Sequence, residues 1–194
     1  MTFGYPVFLQ LNDVSVLVVG GGAIALRKAS GLVAAGAHVT VIAPDITPPL
    51  VELAHTALAR PYVPDEAANY RLVITATSDP IVNAQVSADA TAAGVWVNSA
   101  DDPDNCTFIL PAVARQGDIT VAVSSGGASP ALASHLRSRI ASQILTPNVA
   151  SAAVELARQR TIVRAGGMST EDIDWTDRVQ VALGNQPEVP PAAR

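Results

Sequence analysis

The sequence predicts an α/β fold: a mostly parallel sheet with an antiparallel strand pair and a helical C-terminal region. Three observations predict it. β-branched apolar runs alternate with Ala- and Leu-rich segments from residue 14 to about 97, the pattern of strands and crossover helices in a parallel sheet covered on both faces. Two apolar runs then flank the turn signal Gln116-Gly117, and from Ser129 onward the chain reads as helix. Hydrophobic residues make up 49% and charged residues 15%, enough to form a substantial core; aromatics are only 4%, so Val and Ala must fill it.

Val14 to Val19 is a buried strand ending at Gly20. Ala23 to Ala35 follows as a helix stopped by Gly36, and His38 to Ile42 is the second strand. Pro48 to Ala59 is predicted as a helix opened by proline. Leu72 to Thr75 is the third strand, Pro80 to Ala93 a helix closed by Gly94, and Val95 to Val97 a short strand with Trp96 in the core. Thr107 to Arg115 and Asp118 to Ser124 are expected as an antiparallel pair added to the sheet. Ser129-Pro130 is a cap and first-turn pair, and helices are predicted over 130–145, 148–163 and 169–183, with a frayed tail from Gly184 that holds three prolines.

A net charge of −5 leaves no basic footprint for nucleic acid, although a local nest of amides can still hold a small anion. The single Cys106 can form neither an internal disulfide nor a zinc cluster, which fits a reducing cytoplasm. The N-terminus lacks the features of a signal peptide, and no apolar run is long enough to span a membrane. A cytoplasmic protein without membrane attachment is expected.

The strongest local motif is Gly20-Gly21-Gly22-Ala23-Ile24-Ala25, a G-x-G-x-x-A fingerprint placed after a strand and at the start of a helix. Such a Rossmann-like turn lets a pyrophosphate approach Gly22, with amides around Ala23 and Ile24 facing the phosphates. The second strand runs into Ala43-Pro44-Asp45, and a carboxylate there can accept the ribose hydroxyls and repel a 2′-phosphate, favouring NAD over NADP. Asp45 can equally cap a helix near Thr47-Pro48, and the residues alone leave both roles open. Thr77, at the end of the third strand, stands where a cofactor passes; Asp79 or Ser78 reads as the cap of the helix that starts at Pro80.

Several blocks carry a further resemblance: Pro6 to Leu11, Gly20 to Lys28, Asn98 to Asp101, Thr107-Phe-Ile-Leu-Pro111, and Val121-Ala-Val-Ser-Ser-Gly-Gly-Ala-Ser-Pro130. In order and spacing over residues 5 to 145 the chain resembles the precorrin-2 dehydrogenase / sirohydrochlorin ferrochelatase family, the N-terminal module of siroheme synthases. The resemblance implies an NAD-binding Rossmann-like domain over 1–112, a dimerisation and substrate region over 113–145, and a helical C-terminal region over 146–194. It implies NAD-dependent oxidation of precorrin-2 to sirohydrochlorin in siroheme biosynthesis, a homodimer, and in some relatives insertion of ferrous iron. The fused methyltransferase domain of some relatives is expected to be absent. The family's key carboxylate falls on Asp101, where it can take a proton or hold the substrate in line. Ser125, Gly126 and Gly127 fall where amides and hydroxyls can bind the carboxylates that fringe a tetrapyrrole. Without the resemblance, Asp101, Asp102 and Asp104 read as a polar turn around Pro103.

The remaining residues read more simply. His38, His55 and His135 show no metal-ligand spacing, so no metal site is expected. Arg27, Lys28, Arg137 and Arg139 read as helix surface charges, although the resemblance includes the first two. An NAD-sensing regulatory module, sharing the fingerprint but needing neither Asp101 nor the Ser-Ser-Gly-Gly block, is the alternative reading. A short-chain reductase is disfavoured because Tyr5, Tyr62 and Tyr70 lack a lysine four residues on.

Overall fold

A computed structural model describes residues 4–184; the tail expected to fray lies, beyond Gly184, outside the described residues. The chain divides into two compact units, one spanning Tyr5–Leu110 and the other formed by the chain from Pro111.

In the first unit, β1 (Ser15–Val19), β2 (His38–Ala43), β3 (Thr56–Ala59), β4 (Leu72–Thr75) and β5 (Trp96–Ser99) form one parallel sheet in the order β3-β2-β1-β4-β5. β1, β2 and β4 are buried on both faces, which explains their unbroken apolar sequences. α1 (Ala23–Ala34) and α2 (Pro48–Leu53) cover one face, placing Ala25, Ala29 and Leu50 with Val16, Val18, Val39, Val41 and Ile74. α3 (Pro80–Ala92) covers the other, placing Val86 and Ala90 with Leu17, Val19, Ile42, Val73 and Val97. Alternate residues of each strand thus serve opposite cores. The small side chains of α1 let it approach the sheet closely, which matters for the turn that precedes it.

Two expectations for this unit are corrected. The helix predicted over 48–59 stops at Leu53, and Thr56–Ala59 becomes β3, paired in register with Thr40–Ala43. His55 begins that pairing: its amide donates to the Val39 carbonyl at 3.0 Å, and its Nδ1 accepts from the Val39 amide at 3.2 Å. Ladder bonds to a formed strand outweigh the high helix propensity of Ala and Leu, which is worth under about 1 kcal/mol per residue. Trp96, expected in the core, is 48% exposed. It opens an edge strand on the face opposite to buried Val97.

In the second unit, β6 (Ala112–Gln116) and β7 (Ile119–Val123) pair antiparallel around Gly117, which has φ +56°. α4 (Pro130–Gln143), α5 (Pro147–Ala165) and α6 (Thr176–Ala182) follow; α4 packs on both strands, and α5 meets β6 and α6. The strand pair is a separate two-stranded sheet rather than an extension of the parallel one. Its first strand begins at Ala112, not Thr107, because Thr107 is held along β5: its amide donates to the Val97 carbonyl at 2.9 Å and its hydroxyl accepts from the Val97 amide at 2.8 Å. Pro111, which has no amide hydrogen, then separates the two stretches. α6 starts at Thr176 rather than 169. Ser169 and Asp174 accept hydrogen bonds from the amides of Glu171 and Thr176, offering the backbone local partners in place of a helix.

Candidate functional site

The strand order reverses between β1 and β4, each continuing to neighbours on opposite sides, and ligands of open α/β sheets bind at the carboxyl ends of strands at such a point. A cavity of about 770 Å³ lies there. All eight residues expected at the cofactor line it: Gly20, Gly21, Gly22, Ala23, Ile24, Pro44, Asp45 and Thr77.

The glycine turn is built by close approach. Gly20 has φ +133°, and a Cβ there would overlap the Ala76 carbonyl oxygen and stand 2.7 Å from its carbon. A Cβ on Gly21 would overlap the Asp45 carbonyl oxygen, and the Thr47 amide donates to the Gly21 carbonyl at 3.0 Å. Gly22 differs: a Cβ there meets no atom within 4 Å, so the open space belongs to whatever fills the cavity. Gly22 is the N-cap of α1, has no side-chain cap, and no acidic residue occupies the first turn. The first amides of α1 are thus left for an anion, which fits a dinucleotide pyrophosphate.

Asp45 is exposed on the cavity wall, and no side chain caps α2 at Thr47, so the capping role left open by the sequence is not the one adopted. Asp79 does cap α3, accepting from the Ile81 amide at 2.8 Å and the Val82 amide at 3.4 Å. The Thr77 hydroxyl is engaged within its own loop, accepting from the Asp79 amide at 3.0 Å and lying 2.9 Å from Asn83 Oδ1.

Asn83 is a residue the sequence reading missed. Its Oδ1 accepts from the Thr75 hydroxyl and, at 3.2 Å, from the Thr77 amide, while its Nδ2 donates to the Thr77 carbonyl at 3.1 Å. A buried amide in the first turn of α3 therefore fixes the loop that forms one cavity wall. The available signal was an Asn on the helix stripe it shares with Val86, Ser87 and Ala90. Tyr62, which also lines the cavity, donates to Asp89 Oδ2 at 2.9 Å. Burial and the neighbouring carboxylate push its hydroxyl pKa well up, so it stays a phenol. Burial works to raise the Asp89 carboxyl, but hydrogen bonds from the Asp65 amide, Tyr62 and Gln85 hold it below the usual range.

Asp101 follows β5. Val19, Thr75 and Ser99 are in register across β1, β4 and β5, so β5 ends toward Asp101 at the same end of the sheet as the glycine turn, with the ends of β1 and β5 about 10 Å apart as two strand spacings; Asp101 is not among the residues lining the larger cavity. It adopts φ +60°, which Asp tolerates better than most residues, and is exposed. A smaller cavity of about 200 Å³ is lined by Asp101, Asp102, Asn98, Cys106 and Lys28. Lys28, expected as a surface charge, is half-buried and donates to Asn98 Oδ1 at 2.9 Å. Burial pushes the Cys106 thiol up, and its sulfur accepts from the Ser99 amide at 3.1 Å.

Ser125, Gly126 and Gly127 form the turn between β7 and α4 in the second unit. Gly126 and Gly127 have φ +62° and +85°, and Ser125 Oγ accepts from the Ser129 amide at 3.0 Å. Ser129 caps α4 by accepting from the Leu132 amide at 3.2 Å.

The fold and its glycine turn define a dinucleotide-binding protein. The family model for NAD(P)-binding (NAD_binding_7) matches residues 7–112, over half of the chain, and the chain belongs to that family. The "Sirohaem biosynthesis protein central" model matches residues 116–143. The chain is 46% identical over 182 residues to a siroheme synthase of Tolumonas auensis, covering 93% of this chain and 35% of that protein. It is 47% identical over 139 residues to a siroheme synthase of Methylococcus capsulatus, covering 70% and 29% respectively. The chain thus spans about a third of the length of these relatives. Among solved structures it is similar to "SirC, precorrin-2 dehydrogenase", with a TM-score of 0.73 and 26% identity, covering 93% of this chain and 96% of that one.

Proposed function

We propose that the chain catalyses the NAD-dependent oxidation of precorrin-2 to sirohydrochlorin in siroheme biosynthesis. The observation that carries this reading is that the chain leaves β5 toward Asp101 at the same end of the sheet at which the glycine turn leaves β1, the two strand ends being two strand spacings, about 10 Å, apart. The similarity to a precorrin-2 dehydrogenase over 93% of the chain supports it.

The roles follow from position. Gly20 to Ile24 hold the pyrophosphate, with the amides of Ala23 and Ile24 as donors. Asp45, with Pro44 beside it, accepts the adenosine ribose hydroxyls and rejects a 2′-phosphate, selecting NAD. Thr77 and Asn83 shape the wall along which the cofactor runs toward β5. Bound NAD supplies the hydride acceptor. Asp101 accepts the proton that leaves the macrocycle at its carboxylate oxygen. Ser125, Gly126 and Gly127 bind substrate carboxylates through amides and hydroxyls.

Exposed Leu132 and Leu136 on α4, with Ile144 just beyond it, suit a second copy of the chain, and a cytoplasmic homodimer is part of the proposal. No helix among the described residues is long and apolar enough to cross a membrane. An anaerobic assay with purified protein, NAD and precorrin-2, with and without ferrous iron, tests the reading. NADH and sirohydrochlorin forming together support it. NAD binding with no turnover would leave the NAD-sensing module in its place.

A further inference from the structure

Lys28 is the only lysine in a chain whose other long basic side chains are all arginine. It stands on α1, five residues beyond Ala23, or about 7.5 Å along the axis from the helix start that faces the large cavity. Its ammonium donates to Asn98 Oδ1 at 2.9 Å. Asn98 is itself held from behind: its Nδ2 donates to the Phe108 carbonyl at 3.0 Å and lies 3.5 Å from the Cys106 sulfur, which turns its oxygen toward α1. An ammonium has three donors, and among the described residues only one of the three meets a protein acceptor.

Of the residues lining the smaller cavity, Lys28 is the only cation, while Asp101 and Asp102 supply two carboxylates. Lys28 forms no ion pair with either; among the described residues the ion pairs are Arg60–Glu66 and Arg158–Glu155. Burial and the nearby Arg27 lower the Lys28 pKa, and Asp101 and Cys106 oppose them. A half-buried ammonium that forms no ion pair with these carboxylates and, among the described residues, has two donors free of protein acceptors can take a substrate anion. A substrate with acidic side chains that approaches Asp101 and Asp102 meets like charge, and one fixed cation offsets it.

We propose that Lys28 is a carboxylate anchor for the tetrapyrrole, held in place by Asn98 and setting the macrocycle against Asp101. This role rests on the precorrin-2 reading for its substrate, and two separate measurements distinguish its failure from the failure of that reading.

The first uses Lys28→Met and Lys28→Arg. The probe for binding is uroporphyrin, a stable tetrapyrrole with a carboxylate fringe, and the probe for turnover is precorrin-2. Lys28→Met is expected to weaken uroporphyrin binding and raise KM for precorrin-2 by about tenfold to a hundredfold, the effect of one charge-assisted hydrogen bond, with kcat changed far less. NAD affinity stays at the wild-type value, Tm falls by a few degrees because the buried Asn98 Oδ1 loses its donor, and Lys28→Arg recovers much of the lost binding. A folded Lys28→Met protein with wild-type KM and uroporphyrin affinity overturns the proposal. Wild-type protein that binds uroporphyrin through Lys28 but never oxidises precorrin-2 overturns the dehydrogenase reading instead. The second measurement needs no substitution. Because Lys28 is the only lysine in the chain, biosynthetic labelling with carbon-13 lysine gives a single lysine ε-methylene signal and leaves all three ammonium donors in place. That signal is expected to shift on saturation with uroporphyrin; an unmoved signal overturns the proposal even if Lys28→Met fails to fold.

Discussion

Gly21 and Gly22 are neighbours in one turn, yet the structure assigns them opposite sensitivities to the same methyl group. In Gly21→Ala the new carbon overlaps the Asp45 carbonyl oxygen and stands 2.8 Å from its carbon and 2.9 Å from Ile46 Cα. Ordinary contacts are about 3.5–4.0 Å between carbons, and the oxygen overlap is the tightest of the three, so backbone must move by about 1.5 Å. The two segments are also tied by the Thr47 amide to Gly21 carbonyl bond of 3.0 Å, which such a movement breaks. Overpacking against backbone costs about 3 kcal/mol and the lost bond about 1 kcal/mol, roughly 4 kcal/mol together. For a chain of this size that lowers Tm by about 8–16 °C. In Gly22→Ala nothing lies within 4 Å of the new carbon, and φ −94° with ψ −168° is extended backbone that any residue adopts. Replacing glycine by alanine at an N-cap costs at most about 1 kcal/mol, so the protein stays folded. The methyl instead occupies the space the pyrophosphate needs, at about 1–3 kcal/mol, or roughly fivefold to a hundredfold in NAD Kd. Thermal denaturation and NAD titration of the two purified variants separate these effects. A Gly22→Ala protein that binds NAD like wild type would refute the placement of the pyrophosphate over Gly22. A Gly21→Ala protein with unchanged Tm would refute the packing argument.

Asp101→Asn keeps the shape and tolerates the φ of +60°, so it removes only the proton acceptor. We expect kcat to fall by about 10²–10⁴ with NAD affinity unchanged, and near-normal turnover would take Asp101 out of the chemistry. Asn83→Ala strands the buried Thr75 hydroxyl and the Thr77 amide, at about 3 kcal/mol in all, lowering Tm by about 6–12 °C. NAD affinity should fall as the β4–α3 loop loosens; a calorimetric scan with an NAD titration reads both. The depressed Asp89 carboxyl has a defined sign. A carboxylate with a folded pKa below its ordinary 3.8 contributes stability that is present above 3.8 and is lost as pH falls through the lower folded value. Asp89→Asn should therefore flatten the acid limb of stability against pH, measured by urea midpoints; an unchanged limb would show that the Tyr62–Asp89 link contributes nothing.

Local order made much of the fold legible. β1, α1, β2, β4 and α3 are read closely from alternating runs bounded by Gly, Pro and Asp, because each is long or buried enough for its own pattern to decide it. The cofactor turn is legible for the same reason: strand, glycines and helix are contiguous, and the residues expected around it line one cavity. β3 was hidden because Thr56-Ala-Leu-Ala has no strand character until β2 stands beside it. The hairpin's separation from the parallel sheet was hidden because apolar runs do not state their partners. The Lys28–Asn98 bond joins residues 70 positions apart, which no local window contains, and the Asn83 clamp, though only 6 residues long, forms because the fold buries Asn83. Asp101 was legible only through the resemblance, since Asp-rich turns are common.

The amino-acid order alone determined the alternation of strands and helices, the glycine turn and the carboxylate at the end of β2, because those depend on backbone geometry and solvation of neighbouring residues. Only the tertiary structure decided which strands pair, that β5 ends toward Asp101 at the same end of the sheet as Gly20, and that the one lysine shares a cavity with Asp101. Those outcomes depend on hydrogen bonds and packing between segments distant in sequence, whose energies exist only once the sheet has formed.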